Sequence, residues 1–328
     1  MAEQHEFPLT VDESDSTLGE DEYSDDETIA SSIFKYPEEN GRQYHAYKDG
    51  TYLFPNDKPE QNRLDFQHQL SLHVGQGKLY LSPVKNPSEI LDIGTGTGVW
   101  AIDVADEHES ARVTGIDLSP IQPELVPPNC HFQISDFEDP WDFKRQFDLI
   151  HGRLLIGSIS NPRQLIQHAY ESLKPGGWLE FQDACPPRSD DSTIPLHSAY
   201  RQWVDAWCDA LTRGGRDPFL AAKYGDLLRE AGFINVNVRE YKVPQNCWAK
   251  GRHYKKLGFW NAVNILNGIE GLSMRPFTRH LRWSVEHVQV LLADTRSDIK
   301  NAKIHAYWPV YVVYGKKPEA TFSQGIST

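Results

Sequence analysis

The sequence predicts an α/β fold in which helices cover both faces of a mostly parallel sheet. Between residues 86 and 183, short apolar strands that end in polar residues alternate with helix-length segments. This alternation is typical of parallel sheets, which bind ligands beyond the carboxyl ends of their strands. The chain has 328 residues, of which 39% are hydrophobic, so it can bury a large core. One α/β domain with appended elements accounts for this length.

The first strand, near residues 89–93, runs into a loop with three alternating glycines. These are Gly94, Gly96 and Gly98, and a helix is expected from about Val99. Glycine lets the backbone turn sharply and approach a ligand closely. The free N–H groups of the helix N-terminus would face that ligand. The loop therefore predicts a nucleotide-type cofactor site, although a plain strand-to-helix turn would use the same glycines.

The acidic residue before this loop, Asp92, favours S-adenosylmethionine over a dinucleotide. A dinucleotide fingerprint reads G-x-G-x-x-G, whereas the spacing here is G-x-G-x-G, with Val99 in place of the third glycine. A carboxylate at Asp92 would repel a pyrophosphate, but it could attract the α-ammonium of a methionine moiety. Thr95 in the loop and Trp100 at the helix start complete the predicted cofactor contacts in this segment.

The following strands also end in acidic side chains. The strand at 111–117 ends in Asp117, 19 residues beyond the last loop glycine, close to the roughly 20-residue offset of a ribose-binding carboxylate. We therefore predict that Asp117 binds the ribose, with Leu118 beside it. Asp136 and Phe137 follow the third strand, and we expect them to contact the adenine.

Several segments together resemble one protein family. They are GRQYHAY at 41–47, YLFPND at 52–57, LDIGTGTGVWAID at 91–103, GIDLSPIQP at 115–123, FDLIHGR at 147–153, LKPGGWLE at 173–180, HAY at 305–307 and YGKKP at 314–318. Residues 86–183 resemble a class I S-adenosylmethionine-dependent methyltransferase, which has a Rossmann-like sheet. Residues 36–318 resemble the fungal LaeA-like (UMTA-type) subfamily. That subfamily includes enzymes of small-molecule biosynthesis and regulators of secondary metabolism that associate with velvet-domain proteins.

The resemblance implies further features of the fold and the site. It implies a seven-stranded sheet whose last strand, near 308–314, inserts antiparallel beside a sixth strand near 235–241, with a helical insertion between these two strands. It also implies that an N-terminal helical cap covers the cofactor. Tyr44 and His45 are then candidate cofactor contacts and Tyr47 is a candidate substrate contact, unless these residues only anchor the arm by packing.

We expect five segments along the chain. They are a disordered acidic tail (1–30), an N-terminal cap (31–82), the methyltransferase domain (83–318), its helical insertion (251–303) and a flexible C-terminus (319–328). Residues 1–28 hold eleven acidic side chains and no Lys or Arg, a composition that is typical of disorder. Apolar residues within 60–81 predict a helix that Pro83 ends.

Composition also bounds the location and the partners. The sequence has no apolar run of about 18 residues and no secretory signal, so we expect a cytoplasmic or nuclear protein. It has no basic stripe for a phosphate backbone, which disfavours direct nucleic-acid binding. The four cysteines include no C-x-x-C pair, and the histidines show no metal-ligand spacing, so no metal site is expected.

Two aromatic clusters are candidate substrate contacts. Tyr200, Trp203 and Trp207 lie at helical spacing within 195–211, and Trp260 belongs to a cluster within the insertion. Aromatic stripes at this spacing are more often core. If they line the cleft instead, they favour a flat apolar or aromatic acceptor, because ligand pockets are chiefly apolar.

The mechanism is the least determined part of the interpretation. Alignment of the reactants can supply much of the catalysis of methyl transfer, so a dedicated base is optional. His151, after the fourth strand, is the first candidate base, and Asp183, after the fifth, is the second. Contact with the cofactor, or packing against the glycine loop, is the alternative for His151.

Two functions are compatible with these observations. The first is methyl transfer to a small aromatic or apolar metabolite, or to a protein, in fungal secondary metabolism or its regulation. The second is a cofactor-binding regulatory subunit with little catalysis. An open pocket beside the methyl group favours an enzyme, whereas a pocket filled by Trp203, Trp207 or Trp260 favours a regulator.

Overall fold

The computed structural model describes residues 35–319. The acidic tail predicted for residues 1–30 lies outside the described residues, as does nearly all of the C-terminal segment 319–328. Within the described part, no helix has both the length and the apolar character needed to cross a bilayer.

Seven strands form the central sheet, and a short hairpin precedes them. The hairpin consists of β1 (Glu38–Glu39) and β2 (Arg42–Gln43), and the sheet consists of β3 (Glu89–Ile93), β4 (Arg112–Asp117), β5 (Cys130–Ile134), β6 (Phe147–Arg153), β7 (Leu173–Ala184), β8 (Ile234–Pro244) and β9 (Tyr307–Lys316). The strand order across the sheet is β5-β4-β3-β6-β7-β9-β8.

The pairing of the strands confirms the predicted fold class. Strands β3 to β7 pair in parallel. Strand β9 pairs antiparallel with β7 on one side and with β8 on the other, as the resemblance implied for the last strand. Because β3, β4, β5, β6 and β7 run in the same direction, their carboxyl ends meet at one edge of the sheet, and polar residues accumulate there.

The helices pack on the two faces of this sheet. They are α1 (Lys58–Val74), α2 (Val99–Glu107), α3 (Pro162–Ser172), α4 (Ala199–Arg213), α5 (Tyr224–Glu230), α6 (Arg252–His280) and α7 (Val285–Lys300). Helix α2 begins at Val99, directly after the glycine loop, as predicted. Helices α6 and α7 form the insertion between the last two strands in the chain, β8 and β9. The predicted residue boundaries between the cap and the methyltransferase domain stay predictions.

Helix α1 is shorter than the sequence predicted. Its start is fixed by Asp57, whose side chain accepts a hydrogen bond from the N–H of Glu60 at 3.1 Å. Its end is at Val74 rather than before Pro83, because Gly75 caps the helix and Gly77 takes a φ of +84°. Glycines at these positions end a helix well before the proline.

The insertion and α4 share one hydrophobic core. This core includes Trp203 and Trp207 of α4, Ile269 and Phe277 of α6 and Val288 of α7, all at most 1% exposed. The helical stripe of α4 therefore faces α6 and α7. This packing places the insertion beside the sheet edge at which the polar strand ends meet.

Candidate functional site

A first cavity, here cavity A, lies at the carboxyl ends of β3, β4 and β6. It encloses about 1130 Å³ including its open mouth. Its lining includes the glycine loop and many of the predicted cofactor residues, namely Asp92, Gly94, Thr95, Gly96, Trp100, Asp117, Leu118, Asp136, Phe137 and His151. Residues 51–56 of the N-terminal arm contribute Thr51, Tyr52, Pro55 and Asn56 to the opposite side. The strand ends and the arm thus enclose one space.

The three loop glycines are required for different reasons. All three have positive φ, between +58° and +80°, which favours glycine. A Cβ at Gly94 would lie 2.6 Å from Leu155, and one at Gly98 would overlap the ring of Phe132. A Cβ at Gly96 would meet only Leu64, at 3.7 Å. Gly94 and Gly98 therefore also allow close packing of the protein itself, whereas the backbone at Gly96 is open towards cavity A.

Asp117 holds the glycine loop as well as lining cavity A. Its Oδ2 accepts from the N–H of Gly96 at 2.8 Å, and its Oδ1 accepts from the N–H of Ser119 at 2.9 Å. Burial raises the pKa of the Asp117 carboxyl, and the charge of Asp92 adds to this effect, whereas the backbone donors oppose it. Each carboxylate oxygen can accept more than one hydrogen bond, so the side chain can still accept from ligand hydroxyls.

His151 is fixed by two direct contacts, with Asp92 and with Trp100. The pairing of β3 with β6 places it opposite Asp92, and its Nδ1 lies 2.8 Å from Asp92 Oδ1. Its ring stacks on Trp100 with a centroid distance of 3.7 Å and an interplanar angle of 5°. Thr95 donates to the other oxygen of Asp92 at 2.6 Å. These contacts leave the ring no freedom to turn.

The contact with Asp92 also decides the tautomer of His151. Because an ionised carboxylate only accepts hydrogen bonds, Nδ1 must carry a proton. In the neutral ring, Nε2 is then a hydrogen-bond acceptor. This atom is buried and has no partner among residues 35–319, and His151 lines cavity A. A buried acceptor without a partner is costly unless a ligand satisfies it.

The third strand end also lines cavity A. Asp136 accepts from Lys48 Nζ at 2.9 Å and from the N–H of Glu138 at 2.9 Å. Phe137 is 8% exposed and adds an apolar surface. Leu118, after β4, lines the same cavity. An apolar surface beside a carboxylate suits a flat ring that bears a hydrogen-bond donor.

A second cavity, here cavity B, adjoins cavity A. It encloses about 1140 Å³ including its mouth, and its walls come from α1, α4, α6, β8 and β9. The wall residues include Leu70, Val74, Trp207, Val243, Ile265, Trp308, Val310 and Val312. Both cavities are lined by Tyr52, Leu64, Gln67, Arg153 and Leu154. Cavity B is therefore a largely apolar space that shares a boundary with cavity A.

Arg153 at this boundary was not among the residues predicted from the sequence. Its Nη2 donates to His68 Nδ1 at 2.9 Å, and Nε2 of His68 lies 2.9 Å from a carboxylate oxygen of Asp103. Burial lowers the pKa of Arg153 to about 10, although the charges of Asp92 and Asp103 oppose this effect. Arg153 could have been found from the sequence, because it is a charged residue at the carboxyl end of a strand and lies within a segment that carries the family resemblance.

The second candidate base, Asp183, does not lie at either cavity. It is 2% exposed, and it accepts hydrogen bonds from the N–H groups of Ile156 and Ala184 and from the hydroxyl of Tyr224. Burial raises its pKa to about 7 despite these donors. The structure therefore does not bring Asp183 to either cavity, and its role as a base stays a prediction.

The arm residues predicted as ligand contacts anchor the arm instead. Tyr44 is fully buried, and the guanidinium carbon of Arg275 lies 3.9 Å from its ring centre. Nε2 of His45 contacts the carbonyl oxygen of Lys48 at 3.1 Å. Tyr44, His45 and Tyr47 are absent from the lining of both cavities. The packing alternative therefore describes Tyr44 and His45, and a contact of Tyr47 with substrate stays a prediction. Residues 51–56 of the same arm do line cavity A.

The candidate substrate aromatics divide in a similar way. The hydroxyl of Tyr200 donates to Gln245 at 3.0 Å, and Nε1 of Trp203 donates to Ser273 at 2.8 Å, both within the core. Trp260 packs near Phe66 and His73 and lines neither cavity. The structure therefore brings Trp207, but not Tyr200, Trp203 or Trp260, to the wall of cavity B, and substrate contact by this set stays a prediction.

Comparison with known proteins identifies the family. The profile of a family described as a methyltransferase domain matches residues 66–238. The chain is 39% identical over 292 residues to the secondary metabolism regulator LAE1 of Cochliobolus heterostrophus, which covers 86% of this chain and 94% of that one. It is 37% identical over 294 residues to the methyltransferase pytC of Aspergillus terreus (89% and 91%). It is 36% identical over 295 residues to the protein-methionine methyltransferase laeA of Emericella nidulans (87% and 77%).

The fold and the family match define an S-adenosylmethionine-dependent methyltransferase of class I. Within this class, the chain belongs to the LaeA-like subfamily of fungal secondary-metabolism methyltransferases and regulators. The predicted family and the predicted cofactor are both confirmed.

Proposed function

We propose that this protein transfers a methyl group from S-adenosylmethionine in cavity A to a small apolar acceptor in cavity B. The observation that carries the proposal is the shared boundary of the two cavities, formed by five residues that line both. A donor and an acceptor bound on either side of this boundary would have their reacting atoms adjacent, and such alignment is the main requirement of a displacement reaction.

The residues of cavity A fit the cofactor part by part. Asp117 would accept hydrogen bonds from the ribose hydroxyls, and Leu118, Asp136 and Phe137 would contact the adenine. Asp92 and the free Nε2 of His151 would accept from the α-ammonium of the methionine moiety. Two observations support this assignment: the buried Nε2 has no partner among the described residues, and a Cβ at Gly96 would meet only Leu64, at an ordinary contact distance of 3.7 Å. When bound, the cofactor supplies the electrophilic methyl group.

His151 then positions the cofactor rather than removing a proton from the acceptor. It lines cavity A and is absent from the lining of cavity B. Among residues 35–319, the carboxylate that lines cavity B is Glu60, which is paired with Arg63 at 2.6 Å. The proposed catalysis therefore depends on alignment and on the electrostatic environment, not on a dedicated base.

A regulatory role is the second candidate function, and several relatives that are named secondary metabolism regulators favour it. One relative is named a protein-methionine methyltransferase. In this chain Met274 is 1% exposed within the helical core, which disfavours it as an acceptor in the folded protein. Association with velvet-domain proteins, and a cytoplasmic or nuclear location, stay predictions from the sequence. Affinity capture of velvet-domain proteins by the full chain tests the association.

Filling cavity B separates the two candidate functions. Ile265, on α6, is 5% exposed and lines cavity B but not cavity A. Ile265→Trp should leave the affinity for S-adenosylmethionine within about twofold. It should lower the transfer of a labelled methyl group to small molecules of a fungal extract by tenfold or more. A loss of roughly this size is expected because overpacking costs about 1–3 kcal/mol and would oppose acceptor binding.

The matched control is Val290→Trp, because Val290 lies on α7 and is 65% exposed. Calorimetry measures the cofactor affinity, and separation of labelled metabolites from labelled protein measures the transfer. Undiminished small-molecule labelling by Ile265→Trp would remove cavity B as the acceptor site. Label found only in protein would favour a protein acceptor, and no label in either fraction would favour the regulatory function.

A further inference from the structure

The two cavities differ in the sign of the charge that predominates in their lining. The charged residues that line cavity A are the acids Asp92, Asp117, Asp136 and Glu138 and the bases Arg153 and Arg216. The charged residues that line cavity B are the acid Glu60 and the bases Arg63, Lys78 and Arg153. In cavity B, Glu60 and Arg63 form an ion pair, which leaves the positive charges of Lys78 and Arg153. Acids predominate in the cavity proposed for a sulfonium cofactor, whereas cavity B keeps an excess of positive charge.

Arg153 is the charge that lies at the boundary itself. It lines both cavities, and no carboxylate oxygen of the described residues lies within 4 Å of its guanidinium nitrogens. Its contact with His68 uses one of five N–H donors. Arg153 is partly buried, and because no anionic partner compensates for the lost hydration of its charge, this burial lowers its pKa to about 10. A bound anion would remove this cost.

The neighbours of Arg153 hold its guanidinium in place. His68 is fully buried, and its two ring nitrogens connect Arg153 to Asp103. Because Nδ1 of His68 accepts from Arg153, Nε2 must be the nitrogen that donates to Asp103. This arrangement orients the guanidinium without neutralising it. A planar guanidinium with free donors is well suited to binding an oxyanion.

We infer that Arg153 binds the acidic group of the acceptor. The acceptor is then an apolar small molecule that carries a carboxylic acid or an acidic phenol, and this group binds as its oxyanion. The inference rests on the proposed function. The acceptor loses its proton to solvent before it binds, so no base is required. The oxyanion then forms an oxygen–carbon bond to the methyl group as the carbon–sulfur bond breaks. The electron pair of that bond stays on sulfur, which becomes a neutral thioether, and the acceptor becomes a neutral ester or ether.

The test compares an acid with a neutral molecule of the same shape. The full chain is saturated with S-adenosylhomocysteine, so that cavity A is filled, and titrated calorimetrically with 2-naphthoate and with 2-naphthamide. Wild-type protein should bind the acid about 10- to 100-fold more tightly than the amide. This difference in affinity corresponds to one charge-assisted hydrogen bond, which contributes about 1.5–3 kcal/mol. Arg153→Met should abolish this preference, and Arg153→Lys should retain part of it. Arg213→Met is the matched control, because Arg213 is a surface arginine paired with Asp209.

Three results would overturn the inference. The first is wild-type protein that binds both probes equally or binds neither. The second is an acid preference that survives in Arg153→Met. The third is weaker binding of S-adenosylmethionine by Arg153→Met with unchanged binding of its decarboxylated analogue, since Arg153 would then hold the carboxylate of the cofactor. Wild-type protein that does not bind S-adenosylhomocysteine at all would contradict the proposed function instead. The wild-type comparison of acid and amide needs no variant, so it can overturn the inference even if Arg153→Met fails to fold, and Arg153→Lys then tests whether Arg153 is the cation that binds the acid.

Discussion

The two nitrogens of His151 can be tested separately, because asparagine and phenylalanine each conserve a different part of the ring. His151→Asn places an amide N–H near the position of Nδ1, so it keeps the donor to Asp92 and loses Nε2. His151→Phe keeps a ring against Trp100 and loses both nitrogens. The native contacts are the 2.8 Å hydrogen bond to Asp92 and the 3.7 Å stack on Trp100.

The expected magnitudes follow from these contacts. In His151→Phe, the buried carboxylate of Asp92 loses one of its donors, which should lower the free energy of unfolding by about 1–3 kcal/mol. In His151→Asn, the loss of the stack should cost only about 0.5–1.5 kcal/mol. Both variants lack the acceptor Nε2, so both should bind S-adenosylmethionine about 10- to 100-fold more weakly, since a hydrogen bond to a charged group contributes about 1.5–3 kcal/mol.

Calorimetry gives the cofactor affinity, and urea unfolding gives the stability. If His151 positions the cofactor, the affinity and kcat/KM should fall together in His151→Asn. Wild-type cofactor affinity in His151→Asn would refute this reasoning. If turnover also fell by about 10²–10⁴ at that unchanged affinity, His151 would be the general base after all.

Two further predictions concern stability. Burial raises the pKa of Asp183 to about 7 from 3.8, so the native state keeps a proton that the unfolded chain releases, and stability should fall by up to about 4 kcal/mol as the pH rises from 4 to 7. Asp183→Asn should remove this slope from urea unfolding measured across that range, and parallel curves for the two proteins would contradict the assigned pKa. Gly98→Ala combines a positive φ with overlap of the Phe132 ring and should cost about 2–5 kcal/mol, whereas Gly96→Ala, which is strained but has room, should cost about 1–2 kcal/mol. Equal costs in the same assay would show that packing at Gly98 does not matter.

Local sequence patterns were sufficient to predict the parallel strands and the polar edge at which they end, whereas the antiparallel strands β8 and β9 followed from the family resemblance. A parallel strand and the glycine turn after it are short-range features, so Asp92 and Asp117 could be assigned from spacing alone. The parallel strands meet at one edge, and this geometry brings these residues together without any knowledge of their side-chain contacts. The end of α1 was predicted wrongly because Pro83 was given more weight than the earlier glycines Gly75 and Gly77.

Side-chain roles that depend on distant segments could not be predicted. A helical stripe shows that Tyr200 and Trp203 face something apolar, but it does not show whether that surface is another helix or a ligand. Tyr44 is packed by Arg275, which also pairs with Glu39 across 236 residues. Arg153 was missed for the same reason, since its importance comes from its contact with His68, 85 residues away, and from cavities formed by segments that are far apart in the sequence.

The separate origins of the two cavities have a consequence for how such a protein can diversify. Cavity A is formed largely by loops that follow β3, β4, β5 and β6, whereas the walls of cavity B come mainly from α1, α6 and the antiparallel strands β8 and β9. Substitutions in the walls of cavity B can change the shape offered to an acceptor while the cofactor loops stay intact. Single substitutions in the walls of cavity B can therefore change which acceptor binds. Substitutions at the five residues that line both cavities would also disturb cofactor binding.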